Sequence, residues 1–166
     1  TMTPKLGAEW IFWSGNDCTH TTTTAVACAG WDPIARGYFT TAIREFITDT
    51  NAGFYPADQA GVTAGATNQH QLSLYGGLVP IEDLNVNSRL SFFFLDEASV
   101  QGQAVGGGEN TRRRFAGTEL DTNVVYNYTD DVSFGVLYAV FWPGTAYESA
   151  NDNTAQQLVS TVSVKF

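Results

Sequence analysis

Residues 113–142 read "RRFAGTELDTNVVYNYTDDVSFGVLYAVFW". Leu120, Thr122, Val124, Tyr126 and Tyr128 share one parity there, and Glu119, Asp121, Asn123, Val125 and Asn127 hold the other. After "TDD" the alternation resumes, with Val132, Phe134, Val136, Tyr138, Val140 and Trp142 opposing Ser133, Gly135, Leu137, Ala139 and Phe141. A two-residue period sustained on both sides of a short turn predicts two half-polar strands joined as an antiparallel hairpin. Such a pair divides its residues between two environments, and the rest of the chain repeats the division.

Four further segments alternate in the same way. They are 5–14 ("KLGAEWIFWS"), 68–79 ("NQHQLSLYGGLV"), 84–96 ("LNVNSRLSFFFLD") and 156–166 ("QQLVSTVSVKF"). Aromatic residues make up 13% of the chain, and its Gly, Thr and Val content suits sheet rather than helix. "PIED" at 80–83 predicts a tight turn, with Pro80 ending the ladder because it has no N–H to give. "GYFTTAIREFITD" predicts a short helix or an irregular excursion inside the long polar stretch 15–65. The connections therefore run long, short, long, short, long. Long loops at one end and tight turns at the other are the asymmetry of outer-membrane barrels, and the predicted strands are long enough for a tilted crossing of about nine to eleven residues. No run reaches the roughly 20 apolar residues of a membrane helix.

The apolar row collects Trp10, Phe12, Leu72, Leu74, Leu90, Phe92, Phe94, Leu120, Val124, Tyr126, Tyr128, Phe134, Val136, Tyr138, Trp142, Val162, Val164 and Phe166, without one formal charge. The opposite row holds Glu9, Gln71, Ser73, Arg89, Ser91, Glu119, Asp121, Asn123, Asn127, Ser133, Thr161 and Lys165. One assignment puts the first row in lipid and the second on water. Glu9, Arg89, Arg113, Glu119, Asp121, Asn123 and Lys165 are then expected to line a pore and tune its field. The other assignment folds the apolar row into a soluble β-sandwich, a secreted carbohydrate-binding module using Trp31 and Tyr55. A net charge of −9, with Arg112, Arg113 and Arg114 as the cationic cluster, argues against a nucleic-acid partner.

Catalytic motifs are absent: there is no Gly-x-Ser-x-Gly, no His-Glu-x-x-His and no phosphate loop. Glu119 and Asp121 stand about 7 Å apart on one strand face, within reach of glycoside chemistry, but the expectation is that they pair with arginines of a lumen. No catalytic residue, cofactor or metal site is assigned, and His20 and His70 are expected to be solvated in or beside loops. Cys18 and Cys28, ten positions apart in a polar stretch, suit a disulfide in an oxidising compartment. The opening "TMTPKLG" lacks the basic and apolar regions of a leader, so the expectation is a removed leader or a start part-way through a longer protein.

The stretches "PKLGAEWIFWSGND", "WDPIARGYFT", "GTELDTNVVYNYTDDVSFGVLYAVFWPG" and the final "VSVKF" resemble the carboxy-terminal part of alginate-export-type outer-membrane porins. The shared features fall at 14–17, at Asp32 and Pro33, at 117–121 and at 141–144. The resemblance implies an all-β, antiparallel up-and-down transmembrane barrel in the outer membrane of a Gram-negative bacterium, in that family of about eighteen strands. It further implies a channel passing small solutes or an anionic polysaccharide, and a terminal signal, Val162, Val164 and Phe166, read by the barrel-assembly machinery. Six strands do not close such a barrel. The expectation is thus that 1–166 is one barrel segment whose remaining strands come from the same or another chain. Its 15–65 stretch is expected to be a long extracellular loop that folds inward and narrows the pore. Mixed lumen charges point as readily to a general pore as to one for alginate.

Overall fold

Each alternating segment becomes a strand. In the computed structural model, residues 4–14, 41–43, 69–96, 114–146 and 152–166 are described. They hold β1 (Lys5–Trp13), β2 (Gln69–Ile81), β3 (Leu84–Leu95), β4 (Phe115–Asn127), β5 (Val132–Pro143) and β6 (Ala155–Val164). The six form one open sheet in sequence order, every neighbouring pair antiparallel. The chain is all-β, and no helix among the described residues is long and apolar enough to cross a membrane, which leaves crossing by strands open.

Glu82 and Asp83 join β2 to β3, with Asp83 at φ 68, a left-handed position that Asp tolerates. The strand does not stop at Pro80, as the sequence suggested, but runs on to Ile81. Leu78 stands opposite Val86 while Ile81 stands opposite Leu84, so one extra residue is taken up at Val79 and Pro80. A bulge is where a residue without an N–H fits inside a sheet. Between β4 and β5, Thr129 Oγ1 accepts from Asp131 N (3.3 Å) and Val132 N (3.0 Å), while Tyr128 N donates to Val132 O at 2.9 Å. Both short turns lie at one end of the sheet. The connections 14–68, 96–114 and 144–154 leave from the other, as the loop lengths predicted.

At that second end the sheet carries a small apolar core. Phe93, Leu95, Ala116, Ala139 and Phe141 are buried with Ile43 and Ala146, and the Phe93 and Phe141 rings tilt together at 6.3 Å. A second bulge shapes it: Phe93 pairs with Gly117 but Phe94 with Phe115, leaving Ala116 extra. Gly117 takes φ 144, open to glycine alone, and a Cβ there would sit 2.5 Å from Trp142 O and 2.7 Å from Phe141 Cζ. Substituting Gly117→Ala is therefore expected to lower stability by about 1–3 kcal/mol through backbone strain and displacement of the Phe141 ring. Chemical denaturation checks this, and an unchanged midpoint would contradict the packing described.

Candidate functional site

Apart from the two bulges, the register sends even-numbered strand residues to one face and odd-numbered residues to the other. The five Asp, Glu, Lys and Arg residues of the strands, Lys5, Glu9, Arg89, Glu119 and Asp121, are all odd. The even face has none.

Large apolar side chains are exposed on the even face: Trp10 at 65%, Leu74 at 50%, Val136 at 45% and Leu158 at 69%. Two pairs of its polar groups meet across neighbouring strands, and His70 meets Asp96 just past the end of β3. Ser88 Oγ lies 3.0 Å from Thr122 Oγ1, Tyr138 Oη donates to Gln156 Oε1 at 3.1 Å, and His70 Nε2 lies 3.3 Å from Asp96 Oδ1. Aromatic rings gather at both ends. Toward the long connections, His70 stacks on Phe12 (4.5 Å) beside Trp10, and Phe94 meets Phe115 (5.3 Å). Toward the short turns, Tyr128 meets Phe134 edge-on at 6.1 Å. His70, expected in or beside a loop and solvated, is a half-buried ring at the second residue of β2, beside the long connection.

The odd face is polar and largely covered. Across the middle of the sheet run Gly7, Tyr75, Arg89, Asp121, Ala139 and Gln157, each directly opposite the next. The neighbouring row runs Glu9, Ser73, Ser91, Glu119, Phe141 and Ala155. Gly7 lets the Tyr75 ring lie directly on its backbone, where a Cβ would come within 2.5 Å of the ring. The Arg89 guanidinium sits over that ring, 4.8 Å from its centroid, and Arg89 Nη1 donates to Glu9 Oε1 at 2.7 Å. Ser73 and Ser91 hydroxyls meet at 2.8 Å, with Gln71 Nε2 donating to Ser73 Oγ at 3.0 Å. Glu119 is fully buried and Asp121 nearly so.

Their cover is the 41–43 segment, part of the long β1–β2 connection. Ala42 N donates to Asp121 Oδ2 at 3.3 Å and Ile43 N to Glu119 Oε1 at 2.5 Å. Beside it opens a groove of about 610 Å³, floored by Lys5, Tyr75, Asn87, Arg89, Asp121 and Asn123 and roofed by Thr41 and Ala42. Lys5, Arg89 and Asp121 line it, with Glu9 bonded to Arg89, so the groove carries charges of both signs.

Of the residues expected to line a pore, Glu9, Arg89, Glu119, Asp121 and Asn123 come together on the odd face, with Asn123 exposed. Lys165 lies just past β6, where its N–H donates to Asp131 O at 2.9 Å. Val162 and Val164 are exposed on the even face and Phe166 is exposed beyond it. Arg113, Cys18, Cys28, His20, Trp31, Tyr55 and all of 15–65 except 41–43 lie outside the described residues. The sequence expected the two carboxyls to pair with arginines; Arg89 forms an ion pair with Glu9. Arg89 stands opposite Asp121, while both carboxyls also accept backbone N–H groups from 41–43. The sequence offered a short helix or excursion within 37–49 and an inward fold for 15–65, but no mark of which carboxyls that segment would cover. The Phe93–Phe141 cluster did leave a mark, as apolar residues on the otherwise polar parity. Among the described residues, no three His, Cys, Asp or Glu side chains gather as metal ligands.

Set against protein-family models, curated proteins and solved structures, the chain matches none. The Glu9–Arg89 pair is half-buried, so a double-mutant cycle with Glu9→Gln and Arg89→Met is expected to give a coupling of about 1 kcal/mol. A coupling near zero would mean the pair does not organise this face.

Proposed function

We propose that the chain forms part of the wall of an outer-membrane β-barrel channel, with the even face in lipid and the odd face bordering an aqueous passage for small polar solutes. One observation carries the reading: every Asp, Glu, Lys and Arg of the strands is on the odd face, while the exposed face is uncharged and apolar. A charged side chain at mid-depth on a lipid face costs roughly 2–4 kcal/mol, which is reason enough for a charge-free parity. Hydrogen bonds between Ser88 and Thr122, and between Tyr138 and Gln156, suit hydrocarbon, where no water completes a lone hydroxyl.

The dimensions support it as well. Leu84 to Phe94 is ten steps along β3, about 34 Å at about 3.4 Å per step. A tilt of about 40° leaves roughly 26 Å, close to the apolar band of about 25 Å in such barrels, with aromatic rings at either edge. The resemblance to alginate-export-type porins points the same way. The mixed charges of the odd face favour small polar solutes over an anionic polymer. Among the described residues β1 and β6 each have one edge without a partner strand, so on this reading further strands, of the same or another chain, complete the barrel. A soluble sandwich would instead bury the even face under a second sheet, and among the described residues there is none.

The test is conductance. The full-length protein in planar bilayers is expected to form channels whose reversal potential in a salt gradient moves toward cations in Arg89→Gln. Channels with an unchanged reversal potential would remove Arg89 from the passage, and a protein that forms none would overturn the proposal.

A further inference from the structure

Glu119 and Asp121 face the odd side, yet Glu119 is fully buried and Asp121 is nearly so, reaching only the wall of the groove. Each accepts a backbone N–H from the 41–43 segment, Asp121 from Ala42 and Glu119 from Ile43. Ala42 and Ile43 are helical, and amides at the start of a helical turn have no acceptor within the turn. The two carboxyls supply acceptors, and a charged acceptor makes the stronger hydrogen bond. The Ile43 side chain is seated among Phe93, Leu95, Ala116, Ala139, Phe141 and Ala146, and Ala42 packs against the same cluster. The segment is therefore held twice over, by polar bonds to β4 and by an apolar seat on β3, β4 and β5.

We infer that 41–43 is a strap that narrows the passage, and that Glu119, with Asp121 as a second anchor, serves to hold it down rather than to set the field felt by solutes. The inference rests on the reading of the odd face as a pore wall. What stays open beside the strap is the groove floored by Tyr75, Arg89, Asn87 and Asn123, with Asp121 in its wall, so Arg89 and not the fully buried Glu119 meets what passes. Two opposite outcomes separate the roles. Carboxyls that set the field would, once neutralised, shift ion preference and leave the width alone. Carboxyls that hold a strap would, once the strap is freed by any means, give a wider channel.

The decisive variant is Ile43→Asp, which leaves both carboxyls in place and sets a third acid against them. In the full-length protein, hydrogen exchange at the amides of Ala42 and Ile43 is expected to be at least tenfold slower in the wild type than in I43D, with exchange in β3, β4 and β5 unaltered. Single-channel conductance is expected to rise at least twofold in I43D. Glu119→Gln, which keeps an acceptor but not the charge, is expected to move both readings in the same direction by less. Unprotected amides in the wild type would overturn the strap. Protected amides with an unchanged conductance in I43D would overturn its narrowing role. A wild type that conducts nothing would defeat the pore reading alone, since the exchange measurement judges the strap in either case.

Discussion

The antiparallel ladder has a side-chain period of two, and every charge of the strands falls on one parity. From that constraint the rest follows. A strand residue has no third direction to take, so a sheet that keeps five ionisable groups on one face commits its other face to a single environment. Here that face shows Trp10, Leu74, Val136 and Leu158 to the outside. A one-residue slip in any pairing would carry Arg89 or Glu119 across to the apolar side and Phe92 or Leu120 to the polar one, so the register is strongly fixed. The bulges at Val79–Pro80 and Ala116 lie near the ends of the sheet and leave the rows between them intact.

The polar face has its own demand. A buried carboxylate needs partners, because leaving it without them costs more than the pair is worth. Asp121 has the cross-strand neighbour Arg89 and the amide of Ala42, and Glu119 has the amide of Ile43. Arg89 is fixed in turn by the Tyr75 ring beneath it and Glu9 beside it, and Tyr75 by the bare backbone of Gly7. The chain of contacts crosses four strands, so local geometry at the groove depends on residues far apart in sequence. Toward the long connections this network gives way to the Phe93–Phe141 cluster, which closes that part of the face with apolar contacts instead.

Much of this was legible from the residues. All six strands were readable from alternation, with ends within a few positions, because a period of two over ten residues admits few other folds. The division of faces was legible for the same reason, as was the sorting of short and long connections. The sequence could not foretell that Pro80 stays inside the sheet, since the bulge that admits it depends on the partner strand. Nor could it place His70, whose stacking on Phe12 follows from the β1–β2 register. The cover over Glu119 was least visible of all. It is made by backbone amides of residues more than seventy positions away, and backbone groups leave no mark in a side-chain pattern.

The account stands on what the even face touches, and depth-resolved accessibility measures that directly. Nitroxide labels placed singly at Leu74, Val136 and Asn123, in a background with Cys18 and Cys28 replaced by Ser, are read in lipid bilayers against oxygen and a water-soluble nickel complex. Leu74 and Val136 are predicted to relax with oxygen and to ignore the nickel complex, while Asn123 does the reverse. Collisions of the nickel complex with labels at Leu74 and Val136, or labels there shielded from both reagents, would contradict the claim that this face lies in hydrocarbon.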